Sequence, residues 1–475
     1  MPDNQQKFEL TITAEEIIST DSSFSLNNIA EGDVAKTMNE NKTKTFNKDY
    51  PKMLLNSKNI IFRGAPGTGK SYLAKKIAAY IISGGKHSEY AELTKEEKEQ
   101  VEFVQFHPSY DYSDFVEGIR PKLNDNGDMT FERQDGVFMS FVKKARENLE
   151  NSLKTEEELQ KELSIQEKIE DFLEDSINTN KHYTTLRKNK FSIHDFNNDK
   201  IIIDIPNNQQ KRISIRKKDI EKLLNTEQKL QKSKDVTIFL KKPTAAQEDS
   251  YLLIIYQEIK NWRVEENRKE IINIQKEQRK PYIFIIDEIN RGEISKIFGE
   301  LFFSIDPGYR GKKGEITTQY YNLQEESNKE KFYIPENVYI IGTMNDIDRS
   351  VDTFDFAMRR RFRFIEIKAN ESLYILDELE DETKKVEASK RMLALNEAIS
   401  DVTELNANYH IGAAYFLKLK ELSFDELWED CLLPLLQDYV RGMYDEEKIL
   451  KDFKAAYNLE NEKKDNENSE DKGQQ

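Results

Sequence analysis

GAPGTGKS, residues 64–71, has the residue types and spacing of a phosphate cradle. Glycines at 64, 67 and 69 let the backbone curl until its N–H groups converge on phosphate oxygens. Lys70 brings a point charge to the β- and γ-phosphates, and the Ser71 hydroxyl is a hard-oxygen ligand for Mg²⁺. With Ala65, Pro66 and Thr68 between them, Gly64, Gly67, Gly69, Lys70 and Ser71 form the expected nucleotide-binding set. FIIDEINR, residues 284–291, adds the acids that such a cradle lacks: Asp287 to hold the Mg²⁺ shell, Glu288 to orient or deprotonate an attacking water. A third apolar run breaks into IIGTMNDIDRS, residues 340–350. The neutral amide of Asn345 there can hydrogen-bond both the water and the γ-phosphate without adding charge. Fifteen residues on, AMRRRF gathers Arg359, Arg360 and Arg361. Two readings of them stay open: guanidinium groups that stabilise a transferring phosphoryl, in cis or from a neighbouring subunit, or neutralisers of local acids on a chain with 88 Asp and Glu.

These side chains need elements that bring them to one place. KNIIF reads as a short buried strand before the glycine-rich turn, and SYLAKKIAAYII as the helix after it, whose positive end faces the phosphates. VEFVQFH alternates as a strand does. PYIFIIDEINRG and VYIIGTMN are strands buried on both faces, with their polar residues at the carboxyl ends, where open α/β sheets bind ligands. RFRFIEI is a further strand. Strand, turn and helix alternating around an interruption predict a parallel α/β core with an inserted module and a helical cap. The expected divisions are a polar arm over 1–50, core over 51–150, insertion over 151–275, core again over 276–368, a helical lid over 369–456 and an acidic disordered tail over 457–475.

Composition bounds the class. The 475 residues are 37% hydrophobic and 34% charged, with a net charge of −16, which argues against non-specific nucleic-acid binding by the surface as a whole. No apolar stretch approaches the ~18 residues a membrane span requires, and the N-terminus lacks the layout of a signal peptide. Cys431 is the single cysteine, so no intrachain disulfide forms. A soluble cytoplasmic protein is expected.

GAPGTGKS, IIDEINRG, IIGTMNDIDRS and AMRRRF, in this order, resemble the AAA+ motor subunit of modification-dependent restriction systems, the McrB family. FVQFHPSYDYSDFVEGIRP is similar to a further stretch of that family. The resemblance covers about 51–145 and 280–365 well, and the helical C-terminal part more loosely. It implies an AAA+ P-loop core with a helical lid, hydrolysis of GTP, a hexameric ring, and stimulation by a separate McrC-like endonuclease subunit. It also implies that Asn345 and Asp348 fill a Met-Asn-x-x-Asp sensor element, and that Arg360 and Arg361 reach the neighbour's nucleotide. ATP remains the alternative to GTP, because no Asn-Lys-x-Asp guanine-reading element is present. Only about 50 polar residues precede the P-loop, so the DNA-binding domain that some members carry there is not expected. NYHIGAAYF, around Ile411, lies where a second sensor is expected but offers no arginine. The rival class is a MoxR or dynein-related ATPase that remodels protein complexes; a third reading is a slow, nucleotide-gated assembly platform.

Two features stand outside this set. EEELQKELSIQEKIEDFLEDSI reads as a helix, and KFSIHDF, KIIIDIP and KRISIRK as a three-stranded meander. Over residues 181–220 of this insertion, seven Lys and three Arg face four Asp and no Glu, with Tyr183, Phe191 and Phe196 interleaved. A DNA backbone, an acidic partner and a solvated sheet are the three readings of that charge. Asp249, Glu258 and Lys260 imitate a nuclease pattern, but Leu252, Ile255, Ile259 and Trp262 recur at helical spacing and favour a plain amphipathic helix. His107 has two readings, a place facing the nucleotide cleft and, favoured, a packed strand-end histidine; Trp428 and Cys431 read as lid core.

Overall fold

The structure is a computed structural model that describes residues 49–123, 129–206, 212–242, 244–262, 277–324, 329–347 and 356–460. The arm apart from Asp49 and Tyr50, and the tail beyond residue 460, lie outside these. Asp49 and Tyr50 open a helix, Asp49–Ser57, and the Tyr50 ring meets Phe62 edge-on at 5.3 Å.

Five strands form the core sheet: β1 (Asn59–Gly64), β2 (Val101–Gln105), β3 (Tyr282–Asp287), β4 (Val338–Asn345) and β5 (Arg363–Glu366). Their order is β5-β1-β4-β3-β2, and every neighbouring pair is parallel. Apolar runs are continuous because both faces are covered, and the pleat sorts them by period two. Ile60, Phe62, Ile283, Ile285 and Ile341 pack against the P-loop helix Lys70–Ile82 through Leu73, Ala74 and Ile77. Ile61, Phe284, Ile286 and Ile340 face the other way, onto Phe115, Phe138 and Phe298. Phe115 and Phe138 stack there at 4.8 Å, and Phe284 meets Phe138 edge-on at 4.9 Å.

Register decides what the edges carry. Gly64 lies opposite Asn345, Gly342 opposite Ile286, and Gln105 opposite Asp287, so the P-loop, the acids and the amide emerge along one carboxyl edge. At the amino edge, Asn59 is 0% exposed. Its Nδ2 donates to the carbonyls of Ile305 (2.8 Å) and Arg361 (2.9 Å), while Arg310 Nη2 donates to its Oδ1 at 2.5 Å. One buried amide thus ties the arginine junction to the start of β1.

A two-stranded antiparallel hairpin, Glu117–Leu123 with Met129–Asp135, follows β2, and helix Val137–Leu153 follows the hairpin. The hairpin leaves Leu123 and Phe131 exposed. The insertion has its own core. Helices Glu156–Asn178, Lys217–Leu224 and Glu248–Asn261 contribute Phe172, Ile220 and Ile255 to a cluster with Phe191, Ile201, Ile203 and Ile215 of an antiparallel sheet. The three expected strands are Lys190–Phe196, Lys200–Asp204 and Arg212–Arg216; a fourth, His182–Thr184, pairs with the first of them.

The lid is helical, with a separate core that includes Leu376, Met392, Leu395, Ile411, Phe416 and Trp428. FDELWEDCLLPLLQDYV is one continuous helical run that widens to a π-turn at Trp428–Leu432, just before Pro434, which has no N–H for the ladder. The last lid helix is Glu446–Tyr457, and Tyr457, placed by the sequence in the tail, is 0% exposed against Trp428. Among the described residues, no helix is long and apolar enough to cross a membrane.

Candidate active site

The P-loop is built by its own backbone. Gly67 (φ 75°) and Gly69 (φ 77°) take the left-handed conformation that glycine favours, and helix Lys70–Ile82 starts directly after. Lys70, only 7% exposed, donates from Nζ to the carbonyls of Gly64 (3.1 Å) and Ala65 (2.7 Å), and the Thr68 hydroxyl also donates to Ala65 O at 2.9 Å. The ammonium is therefore held inside the curl, beside the amino end of a 13-residue helix.

Asp287 ends β3 between two hydroxyls. Ser71 Oγ and Thr343 Oγ1 both donate to its Oδ1 at 2.5 Å. Next along the chain, Glu288 adopts φ 51°, ψ 45°, a left-handed conformation that costs a non-glycine residue about 1–3 kcal/mol. Its backbone N–H donates to Thr343 Oγ1 (3.3 Å), and Asn345 Nδ2 donates to its carboxylate Oε1 (2.7 Å). Arg291 Nε stands 3.4 Å from the other carboxylate oxygen. Asn290, 6% exposed, donates from Nδ2 to the carbonyl of Asn345 at 3.2 Å, which fixes the amide's own strand end. Asp346 lies half-buried where its N–H meets Gly64 O at 3.4 Å. Burial pushes its carboxyl above the ordinary carboxylate range, against the pull of the Arg63 and Lys70 charges.

The sequence-selected residues therefore divide. Ser71, Asp287, Glu288 and Asn345 converge beside Lys70 through contacts on one edge. Asp348 lies outside the described residues. Arg360 is exposed at the opposite edge. Arg361 requires a correction: it is 7% exposed, its Nη1 donates to Ala357 O at 2.5 Å, and its guanidinium lies over the Phe302 ring at 5.6 Å. It is turned inward, into its own chain. His107 is exposed rather than packed, edge-on to Tyr110 at 5.5 Å. Of the nuclease-like trio, Asp249 is 0% exposed and bonded to Thr237 and Lys242, while Glu258 pairs with Lys181 on the surface.

Thr343 and Asn290 escaped the sequence reading. The one available signal for Thr343 was a hydroxyl two residues before the end of an otherwise apolar strand. The donor set fits Mg²⁺: Ser71 and Asp287 offer hard oxygens already in contact, and this ion is usually held by one or two protein oxygens with phosphates and water.

A parallel sheet in this order, with a P-loop after its first strand and an acid pair after its third, defines an AAA+ P-loop nucleoside triphosphatase core. The family model for the AAA domain of the dynein-related subfamily matches residues 247–362, and that for the McrB alpha-helical lid domain matches residues 387–449. The chain is 26% identical, over 401 residues, to the Type IV methyl-directed restriction enzyme EcoKMcrB subunit of Escherichia coli K12, an alignment covering 82% of this chain and 55% of that protein. It is 30% identical over 99 residues to the Type II restriction enzyme BsuMI component YdiS of Bacillus subtilis 168, covering 20% of this chain and 29% of that one. Together these matches support an McrB-family AAA+ protein with a C-terminal helical lid. The chain spans about half the length of the E. coli relative.

Thr343→Val removes the hydroxyl that serves both Asp287 and the Glu288 backbone while keeping the strand's shape. We expect nucleotide turnover to fall about tenfold, with nucleotide affinity changed less than about threefold. Steady-state hydrolysis beside an equilibrium nucleotide titration reads both; unchanged turnover would contradict the assigned role.

Proposed function

We propose that this chain hydrolyses a nucleoside triphosphate, GTP in the first instance and ATP as the alternative, to drive a restriction complex whose endonuclease resides on a separate McrC-like subunit. One observation carries the reading: Asn345 donates to Glu288 while Thr343 and Ser71 close on Asp287, a ready arrangement at the mouth of a P-loop. Lys70 and the helix amino end bind the phosphates. Glu288, held by Asn345, accepts the proton of the attacking water and aims it at the γ-phosphate. Mg²⁺ held through Ser71 and Asp287 would neutralise charge on the phosphates. By family resemblance, Asp348 completes the sensor element three residues after Asn345.

This edge carries Arg63 beside Asp346 and Arg291 beside Glu288; for the arginine that stabilises the transferring phosphoryl, the candidate is Arg360. β1 has six residues, and at ~3.3 Å per residue its two ends stand about 17 Å apart. The junction tied to Asn59 is thus on the wrong side for its own P-loop, which favours a closed ring, as in the hexamers of the family, with Arg360 serving the next subunit. The dynein-related character of the AAA match favours a protein-remodelling ATPase as the second reading; the McrB-type lid favours the restriction motor.

The insertion is the proposed DNA contact. Of its cations, Lys181, Arg212, Arg216 and Lys217 pair with Glu258, Asp204, Asp219 and Glu170. Exposed Arg187, Lys188 and Lys190 sit instead on a hairpin tip within residues 181–194, a stretch with no acid. Thr185 braces that tip: its carbonyl accepts from Lys188 N (2.8 Å) and its hydroxyl from Asn189 N (3.1 Å).

Hydrolysis of GTP and ATP by the wild type and by Glu288→Gln tests the activity. Turnover should fall at least about 100-fold with nucleotide binding retained, whereas strong hydrolysis by the variant removes Glu288 as the base. Indifference of the wild type to both nucleotides sinks the enzyme reading. For the tip, Arg187→Ala/Lys188→Ala/Lys190→Ala should flatten the salt dependence of duplex-DNA binding by roughly two to three in log–log slope. Anisotropy titrations at several salt concentrations measure it; an unaltered slope sends the tip back to a solvated surface.

A further inference from the structure

Where a second-sensor arginine was expected, the lid instead lays main chain on the P-loop. The segment Ile411–Ala414 alternates its N–H groups between two partners. Ile411 donates to Asn396 Oδ1 (2.6 Å) and Ala413 to Ser372 Oγ (3.2 Å), both within the lid. Gly412 donates to the carbonyl of Pro66 (3.0 Å) and Ala414 to that of Gly67 (2.9 Å), both in the P-loop. Asn396, 5% exposed on the long lid helix Glu382–Asp401, also donates from Nδ2 to Ile411 O at 3.0 Å. The segment is thus gripped from behind by the lid and grips the cradle in front.

The contact is close enough to need glycine. A Cβ on Gly412 would stand 2.1 Å from the carbonyl carbon of Gly67 and 2.4 Å from the nitrogen of Thr68. From the other side, a Cβ on Gly67 would strike the Tyr415 ring at 2.5 Å.

Its consequence follows from peptide geometry. In a planar trans peptide the carbonyl and the next residue's N–H point in opposite directions. Among the described residues no peptide bond is cis. Holding Pro66 O outward therefore turns Gly67 N–H inward, and holding Gly67 O outward does the same for Thr68 N–H. These are amides of the phosphate cradle. We propose that Gly412 and Ala414 are positioning residues, whose main-chain N–H groups aim the phosphate-binding amides of Gly67 and Thr68 and thereby make nucleotide affinity a function of lid attitude. The lid needs no arginine for this, because it acts on the cradle rather than on the nucleotide. Linkage makes the coupling reciprocal: a partner that shifts the lid changes nucleotide affinity by the same factor as nucleotide changes the partner's affinity.

This inference rests on the P-loop being the nucleotide site. The test uses the full chain, with KM and kcat for GTP and ATP and direct titration of a fluorescent GTP analogue. Gly412→Ala crowds the contact itself. Asn396→Ala touches neither P-loop nor nucleotide and only releases the rear grip, so it serves where the first variant misfolds. Met392→Ala, a cavity in the same lid core with no part in the contact, controls for lost lid stability through its melting temperature. Both contact variants should raise KM and the analogue's Kd about tenfold, with kcat within about threefold, while Met392→Ala leaves KM unchanged. Wild-type KM in Asn396→Ala, or an equal rise in Met392→Ala, would overturn the positioning role while leaving the hydrolase reading intact. A wild type that binds no nucleotide would remove both.

Discussion

With Gly64 of β1 set opposite Asn345 of β4, and Gly342 of β4 opposite Ile286 of β3, three strands end together and their last residues share one rim. Every functional contact at that rim depends on this register. A slip of one residue would turn Thr343 to the other face of the sheet and remove the hydroxyl that Asp287 and Glu288 share. The register is guarded by burial: alternate residues of β1, β3 and β4 belong to two different apolar clusters, so a one-residue slip would exchange the contents of both. The stability of the hydrophobic layers is thus also the precision of the polar edge.

The opposite rim has a different character. Asn59 is buried with its amide committed to Ile305, Arg310 and Arg361, which makes the amino ends of the strands a rigid anchor. Arg361 joins that anchor, and Arg360 beside it faces outward. Two adjacent arginines therefore separate into a structural and an exposed role through the direction in which the short helix Phe356–Arg359 ends.

Much of the core was legible because polar residues at the ends of continuous apolar runs have few structural explanations. Asp287, Glu288 and Asn345 are of that kind, and so is the P-loop. Thr343 was not, since a small hydroxyl inside a strand gains its meaning only from the neighbour that register supplies. The hairpin strands Glu117–Leu123 and Met129–Asp135 do alternate, with Ile119, Leu123, Met129 and Phe131 on one face, but that face is exposed, and the alternation escaped the sequence reading. Arg361 could not be told from Arg360 by type or spacing. The contact between lid and cradle is main chain on main chain, and its one trace in the sequence is the absence of a side chain at Gly412. Its location around Ile411 was readable, and its chemistry was not.

The proposed nucleotide site and the outward Arg360 lie on opposite rims of one sheet, and in the proposed ring a complete site would take residues from two copies of the chain. The direct measurement is hydrolysis in mixtures of Lys70→Ala protein, which has lost its cradle lysine, with Arg360→Ala protein, which keeps its cradle. Each alone should be nearly inactive, and mixing should restore turnover that peaks at intermediate ratios, as Lys70→Ala subunits lend Arg360 to their neighbours. Turnover that stays at the level of the separate variants at every ratio would contradict the shared site.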